Sequence, residues 1–156
     1  MAIRNIIQEG DPTLRKKSFE VTDFGEKTHQ LLDDMKQTLR HVEGAGLAAP
    51  QVGVLRRLFI VDIDQGYFEF LNPVILSQSG SKIEDEGCLS VKDSNGKCKY
   101  GKVARPTKVK VRALDRYGKP FVLNATGLLA KAICHEYDHL DGILFIDKAF
   151  DMWEEK

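Results

Sequence analysis

Two helical patterns far apart in the chain constrain the fold more than any other feature of the sequence. Residues 25–43 repeat apolar side chains at helical spacing, and Gly44 is a natural stop. A second, stronger pattern begins near Asn124 or Thr126 and runs to Leu140, where an Asp-Gly pair ends it. The sequence therefore predicts two well-defined helices.

The segments between these helices have the patterns of strands. Residues 108–114 alternate polar and apolar side chains, and shorter strand patterns cover residues 58–63, 67–71 and 121–123. No helix separates one strand from the next, so the βαβ order of parallel sheets is absent. We therefore expect an α+β fold, with a central helix packed by antiparallel or mixed β-sheets and a further helix near the N-terminus.

Composition limits the functions that this chain can have. Its 156 residues match roughly one domain. The 23 basic and 23 acidic side chains give zero net charge, which argues against direct nucleic-acid binding or attraction to an anionic membrane. No apolar run approaches the length of a membrane helix or a secretory signal. Three cysteines, Cys88, Cys98 and Cys134, favour a reduced, intracellular protein.

The second helix contains the pattern H-E-x-x-H, formed by His135, Glu136 and His139. Residues four apart share one helix face, so both imidazoles can reach one metal ion. Glu136 lies next to them, where its carboxylate can hold a water. The apolar residues Leu128 and Ala132 continue the same face. The alternative is that two core or surface histidines have this spacing by accident.

A catalytic metal needs a third protein ligand, and no further His or Glu follows at metalloprotease spacing. Cys88, within Glu86-Gly87-Cys88-Leu89-Ser90, is the better candidate. A thiolate with two imidazoles would leave a fourth position open for water. Taken alone, however, a single cysteine is as well explained as a small buried apolar residue.

Within the glycine-rich segment 44–51, residues 44–49 match the dinucleotide fingerprint G-x-G-x-x-A only formally. Its glycines follow a helix instead of a strand, and Pro50 cannot lie within the helix that should follow. Two interpretations stay open: a flexible helix terminus, or a backbone that lies close to a ligand with Gln51 as a neutral donor.

Together, three motifs resemble the signature motifs of the peptide deformylases: residues 44–51, 86–90 and 135–139. They occur in the family's order and at suitable separations. The flanks, residues 11–15 and 139–145, are similar too, so the resemblance covers nearly the whole chain. It implies a single catalytic domain over residues 1–156 that removes the formyl group from N-terminal formylmethionine and releases formate.

The resemblance also implies a role for each matched residue. Cys88, His135 and His139 would hold one divalent metal ion, usually Fe²⁺, with Ni²⁺, Co²⁺ or Zn²⁺ as substitutes. Glu136 would be the general acid and base, and Gln51 with the backbone N–H of Leu89 would form the oxyanion site. The substrate-binding residues would be Gly44, Ala45, Gly46, Glu86, Arg105, Leu128 and Ala132. Of these, the Gly46 backbone would hold the peptide group, Leu128 and Ala132 would line the methionine pocket, and Arg105 would pair with Glu86 as a brace.

The partners implied are nascent formyl-Met polypeptides at the ribosome, in the bacterial cytoplasm or an organelle. Three features depart from the family pattern: residues 91–104 resemble a lengthened loop, Lys131 replaces an apolar residue, and Cys134 replaces a glutamine. The alternatives are an H-E-x-x-H metallopeptidase and a non-catalytic metal-binding relative. Against the latter, Glu136 and Gln51 serve catalysis instead of metal binding.

Overall fold

The computed structural model describes residues 2–93 and 95–154. In these ranges two α-helices and eight β-strands are formed, and three short 3₁₀ helices cover Pro12–Arg15, Ala49–Val52 and Phe145–Asp147. The helices are α1 (Glu26–Val42) and α2 (Gly127–Leu140). The strands are β1 (Gly46–Ala48), β2 (Leu58–Ile63), β3 (Gly66–Ser79), β4 (Lys82–Lys92), β5 (Cys98–Arg105), β6 (Lys108–Leu114), β7 (Pro120–Thr126) and β8 (Phe150–Glu154).

The strands form two antiparallel sheets. The larger has the order β1-β2-β3-β6-β7, and the smaller has the order β4-β5-β8. Every pairing between these strands is antiparallel. The predicted α+β class with a central helix is thereby confirmed.

Alternation along β2 explains how both helices pack on the larger sheet. Phe59 and Val61 belong to the apolar cluster that includes Ile133 of α2. Leu58 and Ile60 belong to the cluster that includes the buried side chains of α1. Since neighbouring side chains of a strand point to opposite faces, the two helices cover opposite faces of the sheet at β2.

The ends of the helices follow local backbone chemistry. Helix α1 ends at Val42, and Glu43, not the predicted Gly44, adopts the left-handed conformation with φ 56°. Helix α2 begins at Gly127 with Thr126 as its N-cap, so of the two predicted starts Thr126 is confirmed and Asn124 is wrong. Strand β7 stays paired with β6 up to Thr126, and Gly127, with φ 60°, turns the chain into the helix.

The predicted loop at residues 91–104 is wrong. Strand β4 extends to Lys92, and β5 begins at Cys98, so most of this segment is a β-hairpin. Cys98 is therefore a strand residue and not part of a surface turn. Strand β8, which pairs with β5, also had no counterpart in the prediction. Strand β8 depends on pairing with the distant strand β5, which its local sequence does not reveal.

The N-terminal residues run directly behind two segments that form the site. The backbone N–H of Ile7 donates to the Gln51 carbonyl at 2.7 Å, and that of Glu9 donates to the Ser90 carbonyl at 2.6 Å. These bonds tie the Gln51 turn and the end of β4 to a common support.

Asp34 of α1 anchors the start of this N-terminal segment. Its buried carboxylate accepts hydrogen bonds from the Ala2 N–H, the Gln30 amide and the Arg4 guanidinium. Burial alone would raise the pKa of Asp34, but these bonds outweigh it and hold the pKa below its usual value. Asp34 therefore stabilises the fold above the unfolded-state pKa, about 3.9, and this contribution is lost as the pH falls through the lower folded-state pKa.

We expect Asp34→Asn to lower the free energy of unfolding by about 1–3 kcal/mol at pH 7, because three donors lose a charged acceptor. Urea unfolding of both proteins across pH checks this. The difference should shrink as the pH falls below about 4, and a difference independent of pH would contradict the assignment.

Candidate metal centre and active site

Three predicted ligands converge at the contact between β4 and α2. Cys88 lies on β4, and His135 and His139 lie one helical turn apart on α2. One potential ligand atom from each lies within 4.8 Å of the others, and all three residues are buried. The Sγ of Cys88 lies 3.4 Å from Nε2 of His139. Pairing of distant segments therefore brings the cysteine to the histidine face.

The donor chemistry of this cluster fits a metal ion. The Nδ1 of His135 is hydrogen-bonded to Glu86 at 2.6 Å, which leaves Nε2 for a metal. Burial holds the pKa of His139 well below its usual value, so this ring is neutral, as coordination requires. A thiolate with two imidazoles suits a four-coordinate ion with one position open.

A buried chain of charges holds His135 in place. Arg105 donates to both oxygens of Glu86, at 3.1 and 2.7 Å, and to Asp138 at 2.7 Å. Lys148 lies 3.0 Å from Asp138. Burial alone would raise the pKa of Glu86, but hydrogen bonds from His135 and Arg105 outweigh it and lower the pKa to about 2. Glu86 is therefore an anion that fixes the orientation of the His135 ring.

We expect Arg105→Met to lower the free energy of unfolding by about 3–5 kcal/mol, because the buried Glu86 and the half-buried Asp138 lose the guanidinium that they share. Metal affinity should fall by roughly 10- to 100-fold as His135 loses its brace. Chelator competition measures that affinity. Arg116→Met is the matched control, since Arg116 also binds two carboxylates, Glu69 and Asp33, but outside the site. Equal metal affinity in both variants would contradict the role of Arg105.

Glu136 faces the open side of the ligand cluster. Its Oε2 lies 3.9 Å from Nε2 of His135, and its buried Oε1 has no hydrogen-bond partner among the described residues. Burial raises the pKa of Glu136 to about 7. A Cβ added to Gly46 would lie 2.6 Å from Oε2, so the absent side chain at Gly46 makes room for this carboxylate. Glu136 is therefore free to bind a water or a polar substrate group.

Gln51 is held with one end of its amide towards Cys88. It lies in the 3₁₀ helix Ala49–Val52 and is 1% exposed. Its Oε1 accepts from the Ala48 N–H at 2.9 Å, and its Nε2 donates to Ser90 Oγ at 3.0 Å. The same Nε2 lies 3.5 Å from Sγ of Cys88. These bonds fix the orientation of the amide, so that its Nε2 faces the site as a neutral hydrogen-bond donor.

A cavity of about 300 Å³ opens onto this cluster. It includes most of the residues predicted to bind substrate, but Arg105 is not among its described lining residues and lies behind Glu86. Five lining residues were not assigned a role in the site from the sequence: Asp85, Gly87, Cys98, Tyr100 and Lys131. The full lining is Gly44, Ala45, Gly46, Gln51, Asp85, Glu86, Gly87, Cys88, Leu89, Cys98, Tyr100, Leu128, Lys131, Ala132, His135 and Glu136.

Sequence reasoning missed two other residues that hold the site. Ser90 directs the Gln51 amide, and Asp138 bonds to Arg105. Both residues lie inside motifs identified in the sequence, so their position within a motif is the signal that could have found them. Lys131 lines the cavity, and its Nζ donates to the Asp85 carbonyl at 2.9 Å.

The sequence matches the polypeptide deformylase family over residues 3–154. The chain belongs to this family. A peptide deformylase of Caldicellulosiruptor bescii is 51% identical over 156 residues, covering 100% of this chain and 91% of the relative. Peptide deformylase 1 of Clostridium acetobutylicum is 47% identical over 148 residues, covering 95% of each chain.

Solved deformylase structures share the fold. The crystal structure of the Thermotoga maritima peptide deformylase superposes with a TM-score of 0.90 at 34% identity, covering 96% of this chain and 99% of that one. The Synechococcus elongatus enzyme, in complex with actinonin, superposes with a TM-score of 0.88 at 36% identity, covering 94% and 79%.

Membership of the peptide deformylases confirms the predicted activity, removal of the formyl group from N-terminal methionine of nascent polypeptides. It does not support the peptidase alternative. The family and the Cys-His-His cluster together indicate a single metal ion. Among the described residues, no helix is long and apolar enough to cross a membrane.

Proposed function

We propose that Cys88, His135 and His139 hold the single metal ion of this deformylase and that Glu136 is its general acid and base. The observation that carries the proposal is the convergence of three buried ligand atoms beside a carboxylate oxygen for which residues 2–93 and 95–154 supply no hydrogen-bond partner. A divalent ion supplies Lewis acidity, which polarises an amide carbonyl and acidifies water.

Glu136 moves the proton in this proposal. Its carboxylate accepts a proton from the attacking water as the new C–O bond forms at the formyl carbon. It then donates this proton to the departing nitrogen as the C–N bond breaks. Formate and a free amino terminus are the products, and Glu136 returns to its starting state.

Gln51 and Leu89 stabilise the negative charge that develops on the formyl oxygen. The Gln51 amide is oriented by Ala48 and Ser90, so it needs no rearrangement to donate. The Leu89 backbone N–H is the second donor. Donors fixed before the reaction are the efficient way to stabilise such an oxyanion.

Two walls of the cavity contact different parts of the substrate in this proposal. We assign the residues 44–46 to the peptide backbone, with the Gly46 backbone as the contact to the substrate's peptide group. Leu128 and Ala132 of α2 form the apolar wall for the methionine side chain. Glu86 lines the cavity but acts through His135, and Arg105 acts through Glu86.

The native metal is Fe²⁺ in this proposal, with Ni²⁺, Co²⁺ and Zn²⁺ as possible replacements, because a Cys-His-His set accepts several divalent ions. The iron-loaded enzyme should lose activity in air, since a redox-active ion is bound to a thiolate, whereas the nickel-loaded enzyme should persist. Formate release after timed exposure to air measures this. Equal air stability of the two forms would argue against iron as the air-sensitive native metal.

The proposed substrate indicates where in the cell the enzyme acts. Formylated nascent chains emerge from ribosomes, so we propose that the enzyme meets them there, in the bacterial cytoplasm. Zero net charge gives no reason to expect direct binding to ribosomal RNA. The family match over residues 3–154 supports one catalytic domain.

Formate release from formyl-Met-Ala-Ser, with metal analysis of the same sample, tests the proposed function. We expect turnover to follow metal content, and acetyl-Met-Ala-Ser to be a poor substrate. Cleavage of internal peptide bonds without release of formate would identify a peptidase instead. Stoichiometric metal with no hydrolysis of either kind would identify a non-catalytic relative.

A further inference from the structure

Three basic side chains stand in a row on an uncovered part of the larger sheet. They are Lys108, Lys110 and Arg112 of β6, here called the basic row. All three are exposed, whereas Val109 and Val111 between them are buried. Residues two apart in a strand point to the same face and lie about 7 Å apart. The basic row is therefore straight and roughly 14 Å long.

The cations of the basic row are not neutralised by the protein. Among residues 2–93 and 95–154, no carboxylate lies within ion-pair distance of any of the three. Directly paired residues of antiparallel strands have side chains on the same face. The six neighbours paired with the row are uncharged: Val74, Ser77 and Ser79 of β3, and Val122, Asn124 and Thr126 of β7. Like charges repel, so an anionic partner would stabilise this face.

Polar side chains flank the basic row. Ser77, Ser79, Asn124 and Thr126 are exposed, and their side chains have no hydrogen-bond partner within the described part of the chain. A cavity of about 210 Å³ lies at this end of the sheet, lined by residues 77–79, 108–110 and 124–126. Lysine, arginine, hydroxyl and amide side chains are those that contact the phosphates and sugars of nucleic acids. The composition of this face therefore matches a sugar–phosphate backbone.

The basic row faces away from the helix that carries the histidines. Val109, Val111 and Ala113 of β6 belong to the apolar cluster that includes Ile133 of α2. Since neighbouring side chains of a strand point to opposite faces, the basic row lies on the other face of the sheet. The cluster packed around α1 reaches β6 on that face only at Leu114. None of the described lining residues of the catalytic cavity belongs to the row, so a partner bound there leaves the cavity open.

We propose that the basic row docks on the sugar–phosphate backbone of double-stranded RNA. The cations bind phosphates, and the flanking hydroxyl and amide groups bind the 2′-hydroxyls that distinguish RNA from DNA. Neither the row nor its six paired neighbours is aromatic, so unpaired bases have nothing to stack on, which favours a duplex over a single strand. Zero net charge describes the whole chain, whereas binding depends on where the charges lie. This surface is separate from the catalytic site, so the inference stands apart from the proposed function.

Fluorescence anisotropy with a labelled RNA duplex of about 20 base pairs tests the proposal. The affinity of the parent should fall by roughly 20- to 40-fold between about 50 and 200 mM salt, as expected for three phosphate contacts. The triple variant Lys108→Gln, Lys110→Gln, Arg112→Gln should bind at least about tenfold more weakly at the lower salt concentration and lose most of the salt dependence. Its formate release from formyl-Met-Ala-Ser should equal that of the parent, which also shows that it is folded.

The matched control is the triple variant Lys16→Gln, Lys17→Gln, Lys27→Gln, which removes the same charge from exposed lysines outside β6. It should bind the duplex nearly as tightly as the parent does. Equal weakening in both triple variants, or no saturable binding by the parent at the lower salt concentration, would overturn the proposal. Equal affinity for a DNA duplex of the same sequence, or displacement of the RNA by polyglutamate at an equal concentration of charges, would overturn the assignment to RNA.

Discussion

Glu136→Gln should keep the fold and the metal but reduce formate release by roughly 100- to 10,000-fold, the usual contribution of a positioned acid and base. The amide is nearly isosteric with the carboxylate, and three other residues supply the metal ligands. The amide, unlike the carboxylate, cannot accept the water proton and return it to the departing nitrogen. An amine leaves poorly without that proton, so both halves of the reaction are impaired.

The matched control is Glu84→Gln, the same chemical change on the neighbouring strand. Glu84 is not among the described lining residues of the cavity and lies 3.8 Å from Lys131. Metal content and formate release should be measured side by side for both variants. A Glu136→Gln enzyme that retains metal and turns over at the parent rate would remove Glu136 from catalysis. Loss of metal in that variant would instead show that the Glu136 carboxylate supports the structure of the site.

Regular patterns allowed parts of the fold to be predicted to the residue. Strands β2 and β6 have the predicted bounds, residues 58–63 and 108–114. Burial in β6 alternates along its length as the sequence does, because one face packs on the core and the other meets solvent. Helix α1 differs from its prediction by one residue at each end.

The smaller sheet could not be predicted because its strands are stabilised by pairing and not by a local pattern. Four successive residues at the start of β4 are exposed, so its first half has no apolar face. Strand β8 follows the last 3₁₀ helix and gains its partner only from β5. Strands of this kind have little intrinsic preference, and the tertiary partner decides their conformation.

The candidate site shows the same division between local chemistry and distant pairing. The i, i+4 spacing placed His135 and His139 on one face from sequence alone. The position of Cys88 beside them depends on how β4 packs against α2, which only the resemblance implied. The extension of the Glu86–Arg105 brace to Asp138 and Lys148 required coordinates, since the four residues lie in β4, β5, α2 and the turn after the last 3₁₀ helix.

Cys88→Ala should abolish both metal retention and formate release. Two imidazoles alone hold a divalent ion poorly, and the variant removes the anionic ligand of the set. The fold should persist, because Cys88 is a small buried residue whose apolar neighbours, among them Val91 and Leu144, remain. Metal analysis after desalting, with circular dichroism as the test of folding, separates loss of the ion from loss of structure.

Cys134→Ala isolates the ligand role of Cys88 from any general effect of removing a buried thiol. Cys134 precedes His135 on the same helix, but its side chain belongs to the apolar cluster on the larger sheet. Burial raises the pKa of its thiol to about 11, so it stays protonated and is a poor ligand. The Cys134 variant should therefore retain stoichiometric metal and turnover. Stoichiometric metal with normal turnover in Cys88→Ala, or equal metal loss in both variants, would remove Cys88 from the metal site.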